Sequence, residues 1–317
     1  MHSLIEILQD GHFHSGEELG ERLAISRAGV WKRLQRLETE MGLKVCAVKG
    51  RGYRLAQPLL LLDAERLNQA GLPWSVQVFD TLESTNSTAQ RLAAAEPEKG
   101  LVVLAERQTA GRGRRGRQWV SPYGENLYLS LALPVTGGMR QLEGVSLVVG
   151  LAIVESLAGL GIAGLGLKWP NDVLVDQQKL AGILLELSGN PDDCGQLIIG
   201  IGLNINMNIG EAVDQPWTSL AKQLGKLCDR TSIAIDIIEH LAHYLSRFFA
   251  EGFTALRQDW ERWHVWQGRV GCLSSGVNEV QGLILGIDSG GALKMRVDGQ
   301  EQIFSGGELS LRLAHDT

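Results

Sequence analysis

Cysteine is scarce in this 317-residue chain, and the four present stand far apart. Cys46, Cys194, Cys228 and Cys272 form no paired metal spacing and no dense disulfide framework, which leaves isolated reduced thiols as the expectation. No apolar run approaches the roughly 20 residues that cross a bilayer, so no membrane partner is expected. Met1-His2-Ser3-Leu4-Ile5-Glu6 has no basic segment leading into an apolar one. A secretory leader is therefore not expected, and a cytoplasmic setting is. No Gly-Lys-Ser/Thr phosphate loop is found, and no ligand cluster offers a protein-held metal. Net charge is small, −6, and unevenly spread. Residues 1–57 carry nine Lys/Arg against seven Asp/Glu, a balance of +2, so the remainder carries −8. A basic head on an acidic body points to a polyanion for the head alone.

The length allows two or three domains. At the head, Leu4, Ile5, Ile7 and Leu8 give a short helix its apolar face. Ser15 and Glu18 have the spacing of a capping box, with Leu19 and Leu23 following at helical period. Ser26 opens a third helix whose buried side is Val30, Leu34 and Leu37. Gly16 to Gln35 reads as a helix-turn-helix. Lys44 to Leu55 reads as two short strands around a Gly50/Gly52 turn, a basic wing. Such a head can place Ser26, Arg27, Lys32, Arg33 and Arg36 against DNA, with Lys49 and Arg51 on the wing. A small helical domain with a solvated charged face is the alternative. Gln57-Pro58 and the Leu59–Leu62 run mark the junction, and an apolar junction should pack on the body.

The densest chemistry lies in Gly111–Arg117, G-R-G-R-R-G-R. Glycines let the backbone curl, and permanently charged planar guanidiniums match carboxylate and phosphate oxygens. Its G-x-G-x-x-G spacing is not a dinucleotide fingerprint. Trp119-Val-Ser-Pro122 and then a strand follow, where that fingerprint requires a helix. A strand–loop–strand lid over a small anion is expected, with a flexible basic surface loop or nonspecific RNA binding as the alternatives. Ser84, Thr85 and Asn86 sit at a strand-to-helix turn and either cap the helix or bind a polar ligand end. Asn171 and Asp172 follow Pro170, either as turn residues or as nucleotide or metal contacts. Lys168 could serve a phosphate. Lys179 enters an apolar strand beside Gly182, a place suited to a ligand carboxylate or phosphate. Leu197–Met207 is a glycine-containing strand, and Trp217 could cover a purine face. Residues 268–312 are short strands with Gly turns, a β module too small to stand alone.

The Arg/Gly loop, K-W-P-N-D (Lys168–Asp172), K-L-A-G-I-L (Lys179–Leu184), G-I-G-L-N (Gly200–Asn204) and S-G-G-E (Ser305–Glu308) occur in that order. With the winged head, they resemble the family of bacterial bifunctional biotin–protein ligases that also repress the biotin operon. The resemblance spans essentially the whole chain, and the conjunction of motifs carries it. One departure is Phe304, where the family pattern has a Trp–Met pair ahead of S-G-G-E.

The resemblance implies a multi-domain α+β fold. Residues 1–60 would be the winged helix-turn-helix. Residues 61–267 would be a mixed α/β catalytic domain, with a β-sheet flanked by helices. Residues 268–317 would be a small SH3-like β-barrel. It implies that ATP, with Mg2+, activates biotin to biotinyl-5'-AMP, which passes biotin to a lysine of the biotin carboxyl carrier protein of acetyl-CoA carboxylase. The adenylate-bound homodimer would act as repressor on operator DNA. Ser84, Thr85, Asn86 and Gln108 would bind the polar end of biotin. Arg112, Gly113 and Arg114 would be the biotin and phosphate part of the loop, with Arg114 retaining the adenylate. Arg117, Trp119, Asn171 and Trp217 would meet the nucleotide, with Trp217 near adenine. Lys179 would hold the biotin carboxylate, and Asp172 would lie near Mg2+ or the incoming lysine. Arg114 and Lys179 are the candidate catalytic pair. The alternatives are a ligand-sensing repressor without catalysis, and a ligase for another acyl cofactor such as lipoate.

Overall fold

The structure, a computed structural model, describes residues 2–135, 142–190, 194–210, 213–275, 278–306 and 309–314. Gly307 and Glu308 of the S-G-G-E motif lie outside the described residues.

The head consists of α1 (His2–Leu8), α2 (Gly16–Arg22), α3 (Arg27–Met41), β1 (Val45–Val48) and β2 (Gly52–Leu55). Serines start α2 and α3: Glu18 N donates to Ser15 Oγ (3.0 Å) and Gly29 N to Ser26 Oγ (3.2 Å). The capping box is only half made, because the Glu18 carboxylate turns to the His14 ring (2.9 Å). Val30, Leu34 and Leu37 are buried with Leu4, Ile5, Leu8, Leu19 and Leu55 in a cluster apart from the main core of the body, to which Tyr123 of the body also belongs. Gly52 sits at φ +105°, and a Cβ there would lie 2.0 Å from the His14 carbonyl oxygen. Only glycine permits that contact. It brings the wing against the α1–α2 loop, where His14 and Tyr53 exchange backbone hydrogen bonds of 2.9 and 2.8 Å.

The body holds α4 (Ala64–Gln69), β3 (Ser75–Leu82), α5 (Thr85–Ala93), β4 (Leu101–Gln108), β5 (Leu127–Val135), α6 (Val145–Ala158), β6 (Leu165–Lys168), β7 (Asp172–Val175), β8 (Gln178–Asn190) and β9 (Cys194–Leu203). Then come α7 (Leu220–Leu224), α8 (Arg230–Glu251) and α9 (Arg257–Trp263). Its seven strands run β3-β4-β5-β9-β8-β7-β6, with β3 and β4 parallel and the other pairs antiparallel. The short α5 covers one face through Ala89 and Ala93. Helices α6 and α8 cover the other. Because α6 is apolar nearly all round, it is buried rather than amphipathic.

The last module is a five-stranded antiparallel sheet of β10 (Val270–Ser275), β11 (Asn278–Ile287), β12 (Leu293–Val297), β13 (Gln300–Phe304) and β14 (Ser310–Leu313), in the order β13-β12-β11-β10-β14. Its edges β13 and β14 are not paired with each other among the described residues. Leu273, Ile284, Leu293, Met295 and Leu311 join the body's core cluster, so the module has no core separate from the body.

A buried ion pair ties the junction. Arg230 and Glu106 have side chains 0% and 3% exposed, with Arg230 Nη2 donating to Glu106 Oε2 at 2.5 Å. The other Glu106 oxygen accepts from Leu62 N (2.6 Å). Arg230 also donates to the carbonyls of Leu60 (3.0 Å) and Asn126 (2.9 Å). Leu62 packs in the body core, as expected, whereas Leu59 packs in the head cluster, where Tyr123 of the body joins it. Removing one partner strands a buried charge, a loss of about 3–5 kcal/mol. Urea unfolding of Glu106→Leu and of Arg230→Met should each show a loss of that order. The double substitution should cost clearly less than their sum; additive losses below about 1 kcal/mol would contradict the coupling.

Candidate functional site

The central strands form the floor of a narrow cleft. Gly200 and Gly202 lie on β9, and Gly182 lies beside them on β8. These glycines are required by close approach. A Cβ on Gly200 would stand 2.4 Å from Asn86 Oδ1, and one on Gly202 2.3 Å from the Trp119 indole. Trp119 therefore rests directly on the floor, and its Nε1 is buried without a hydrogen-bond partner.

One end of the cleft is a neutral hydrogen-bonding cluster. Ser84, Thr85 and Asn86 are buried at the start of α5. Ser84 occupies the cap position without making a side-chain cap bond, so the helix does not use its hydroxyl. Thr85 donates through N (2.9 Å) and Oγ1 (3.1 Å) to Gln108 Oε1. Gln108 Nε2 reaches Ser121 Oγ (3.2 Å). Ser130 Oγ lies 2.6 Å from Asn86 Oδ1 and 2.7 Å from Thr85 Oγ1. Ser121 and Ser130 carried no spacing signal; each is brought in by its strand or loop.

The other end is cationic. A bulge in the β7–β8 pairing at Leu180 re-aims the chain beside Lys179. Lys179 is also held through its backbone, with N donating to Pro216 O and O accepting from Thr218 N, each 3.0 Å. Asp172 lies between two ammonium groups, 2.8 Å from Lys179 Nζ and 3.4 Å from Lys168 Nζ. Burial alone would raise the Asp172 carboxyl, but Lys179 and Lys168 hold it below the ordinary carboxylate value. Burial lowers the Lys168 ammonium despite Asp172, and Lys179 and Arg312 add to the lowering. No group of three or more metal-ligating side chains exists among the described residues. Both Asp172 oxygens face lysines, so this carboxylate serves as a counter-ion to them.

The Arg/Gly loop folds over the cleft as a small hairpin. Gly113 N donates to Arg117 O (2.7 Å), and Arg112 pairs with Gln118. Arg114 Nη1 donates to Asn171 Oδ1 (2.8 Å) and Nη2 to Leu309 O (3.4 Å). Asn171 is fixed in turn by the carbonyl of Ile183 (2.9 Å). Arg112, Gly113, Arg114, Trp119, Asn171 and Lys179 thus line one cleft with the polar cluster.

Arg117 and Lys168 line a wider trough outside it, together with Arg115, Arg269 and Arg312. Arg269 and Arg312 come from the C-terminal module, and nothing in their spacing marked them. The Trp217 indole lies outside both linings, packed on Gly210 beneath Lys222 Nζ, 3.5 Å from the ring centroid.

In the head, Ser26 is spent on capping α3, while Arg27 and Lys32 are exposed and Arg33 is half-buried. Arg36 is paired bidentately with Glu40 (2.7 and 3.0 Å). On the wing, Lys49 is exposed and Arg51 stacks over the Phe13 ring at 4.5 Å.

Comparison with known proteins gives two matching family models. Residues 78–204 match the biotin/lipoate A/B protein ligase family, and residues 1–54 match an HTH domain. The bifunctional ligase/repressor BirA of Salmonella typhimurium is 41% identical over 315 residues, 98% of this chain and 97% of that protein. The biotin–[acetyl-CoA-carboxylase] ligase of Paracoccus denitrificans is 34% identical and covers 72% of this chain with 96% of its own length. Among solved structures, the biotin protein ligase from Aquifex aeolicus in complex with biotin and ATP superposes with a TM-score of 0.67 at 30% identity, covering 76% of this chain and 99% of that one.

Overpacking typically costs about 1–3 kcal/mol, so Gly202→Ala should push the indole off the floor and weaken binding of biotin by roughly 5- to 150-fold. Calorimetric titration checks this, with circular dichroism verifying the fold. Binding unchanged within about twofold would contradict the contact.

Proposed function

This chain belongs to the biotin–protein ligase family, and from that membership we propose how its cleft and its head work. The protein is an ATP-dependent biotin–protein ligase with a DNA-binding repressor head. A biotin carboxylate oxygen attacks the α-phosphorus of ATP, a P–O bond to pyrophosphate breaks, and biotinyl-5'-AMP forms. The ε-amine of an acceptor lysine then attacks the anhydride carbonyl, AMP leaves, and an amide remains. Mg2+ arrives with the nucleotide.

The observation that carries the site reading is the polarity of the cleft, hydrogen-bonding at one end and cationic at the other. Biotin has a ureido ring at one end and a carboxylate at the other. In this reading Ser84, Thr85, Asn86, Gln108 and Arg112 take the ureido end. Lys179 and Arg114 take the carboxylate and the α-phosphate it joins, and Arg117 and Lys168 take the outer phosphates. Two anions meet in adenylation, and one fixed donor in such a site is typically worth about 3–4 kcal/mol of barrier. Asp172 keeps Lys168 and Lys179 aimed while the site is empty.

The C-terminal sheet is a four-strand meander whose fifth strand returns beside the first, an order suited to closing as an SH3-like barrel. The three domains divide near residues 60 and 267. The acceptor is the carboxyl carrier protein of acetyl-CoA carboxylase. The adenylate-bound form pairs as a homodimer through an outer strand of the central sheet, and two heads then meet operator DNA. A cytoplasmic setting fits the free thiols of Cys46, Cys228 and Cys272.

Incubation with biotin and α-labelled ATP, without acceptor, should give a bound biotinyl-AMP that chases onto an acceptor lysine. Binding of biotin with no adenylate would replace the ligase by a pure sensor. Hydrogen bonds to charged groups contribute about 1.5–3 kcal/mol, so Arg114→Gln should release the adenylate roughly 10- to 150-fold faster. Unchanged retention would remove Arg114 from the latch.

A further inference from the structure

Glu186 stands outside every motif noted in the sequence. It lies on β8, opposite Ile198 of β9, on the same face as Gly182 and Leu184 of the cleft. Its carboxylate gathers two cleft residues from different elements. Oε2 accepts from Asn86 Nδ2 of α5 at 2.8 Å. Arg112 Nη2 of the loop donates to Oε1 at 2.9 Å and to Oε2 at 2.7 Å. Asn86 Oδ1 is met by Ser130 Oγ at 2.6 Å, so both ends of that amide are committed and its orientation is set.

We propose that Glu186 is a positioning residue for the ureido end of biotin, acting through Arg112 and Asn86; this rests on the ligase reading above. Two physical consequences follow from its place. It fastens the first limb of the Arg/Gly loop to the sheet, as Asn171 and Leu309 fasten the second through Arg114. It also cancels the charge of Arg112. Biotin carries its only anion at the tail, and an uncompensated guanidinium at the ureido end would compete with Lys179 for that carboxylate. With the charge cancelled, Arg112 can still donate to the ureido carbonyl, and Asn86 Oδ1 keeps a lone pair for a ureido N–H.

The test is calorimetric binding of biotin and of its neutral amide to the full chain and to Glu186→Gln, Glu186→Asp, Arg112→Gln and the Glu186→Gln/Arg112→Gln double variant. Both ligands share the ureido end, so Glu186→Gln should weaken both by about tenfold or more, with the KM for ATP and the melting temperature unchanged. The double variant should lose clearly less than the sum of the two single losses, keeping only the part that runs through Asn86, and Glu186→Asp should recover part of the affinity. A change below about twofold for both ligands overturns the proposal, as does a loss that adds fully to that of Arg112→Gln. A loss matched by a fall in melting temperature overturns it too, since a merely structural carboxylate would behave so. Failure of the unaltered chain to bind biotin overturns the ligase reading instead, and this inference with it.

Discussion

The buried pair between Glu106 and Arg230 is the contact on which the arrangement of the parts depends. It removes two charges from water, and such a pair is tolerable only when every remaining donor and acceptor is used. Here each nitrogen of Arg230 and each carboxylate oxygen of Glu106 has a partner, on the backbone of the junction at Leu60 and Leu62, on the turn at Asn126, and in the pair itself. The next two residues of β4 extend the same logic. The Arg107 guanidinium donates to the Glu40 carbonyl at the end of α3, where a cation suits the helix dipole. Gln108 then enters the polar end of the cleft. Three consecutive residues thus serve the linker, the seat of the recognition helix and the ligand site. That is a physical route by which the state of the cleft can bias the head.

The cleft solves a second problem, the storage of positive charge in the absence of ligand. Lys168 and Lys179 share Asp172, Arg112 is matched by Glu186, and Arg114 rests on an amide oxygen and a backbone carbonyl. Only part of this neutralisation needs to be given up when an anionic ligand arrives. Trp119 lies directly over Gly182 and Gly202, so its indole is part of the apolar wall of the cleft.

Much of this was legible in the residues. The serine caps and the Val30/Leu34/Leu37 stripe specify the head, because capping and helical period are local. The Arg/Gly loop, Lys179 and the small residues of β9 mark the cleft, because charge density and missing side chains are local too. Glu186, Ser130 and Arg312 were not legible. Each is an ordinary strand residue whose role comes from which strands lie side by side, and pairing across long separations leaves no spacing signal. The strand β14 carries no signal of its own, being four residues long with pairing to β10 alone. The Trp217 indole sits beneath Lys222 rather than along the cleft, since the backbone bonds that flank Lys179 fix the segment's path and not the direction of the ring.

On the ligase and repressor reading proposed above, one occupied cleft governs both ligation and DNA recognition. The most direct measurement is selection of binding sites from a random-sequence duplex library, with the protein incubated with biotin and ATP and, separately, without them. The expected result is a two-fold-symmetric site enriched only in the presence of both ligands, and lost when an acceptor domain with a free lysine is added. Enrichment of the same site by the unliganded protein, or of none in either condition, would contradict the coupling of cleft to head.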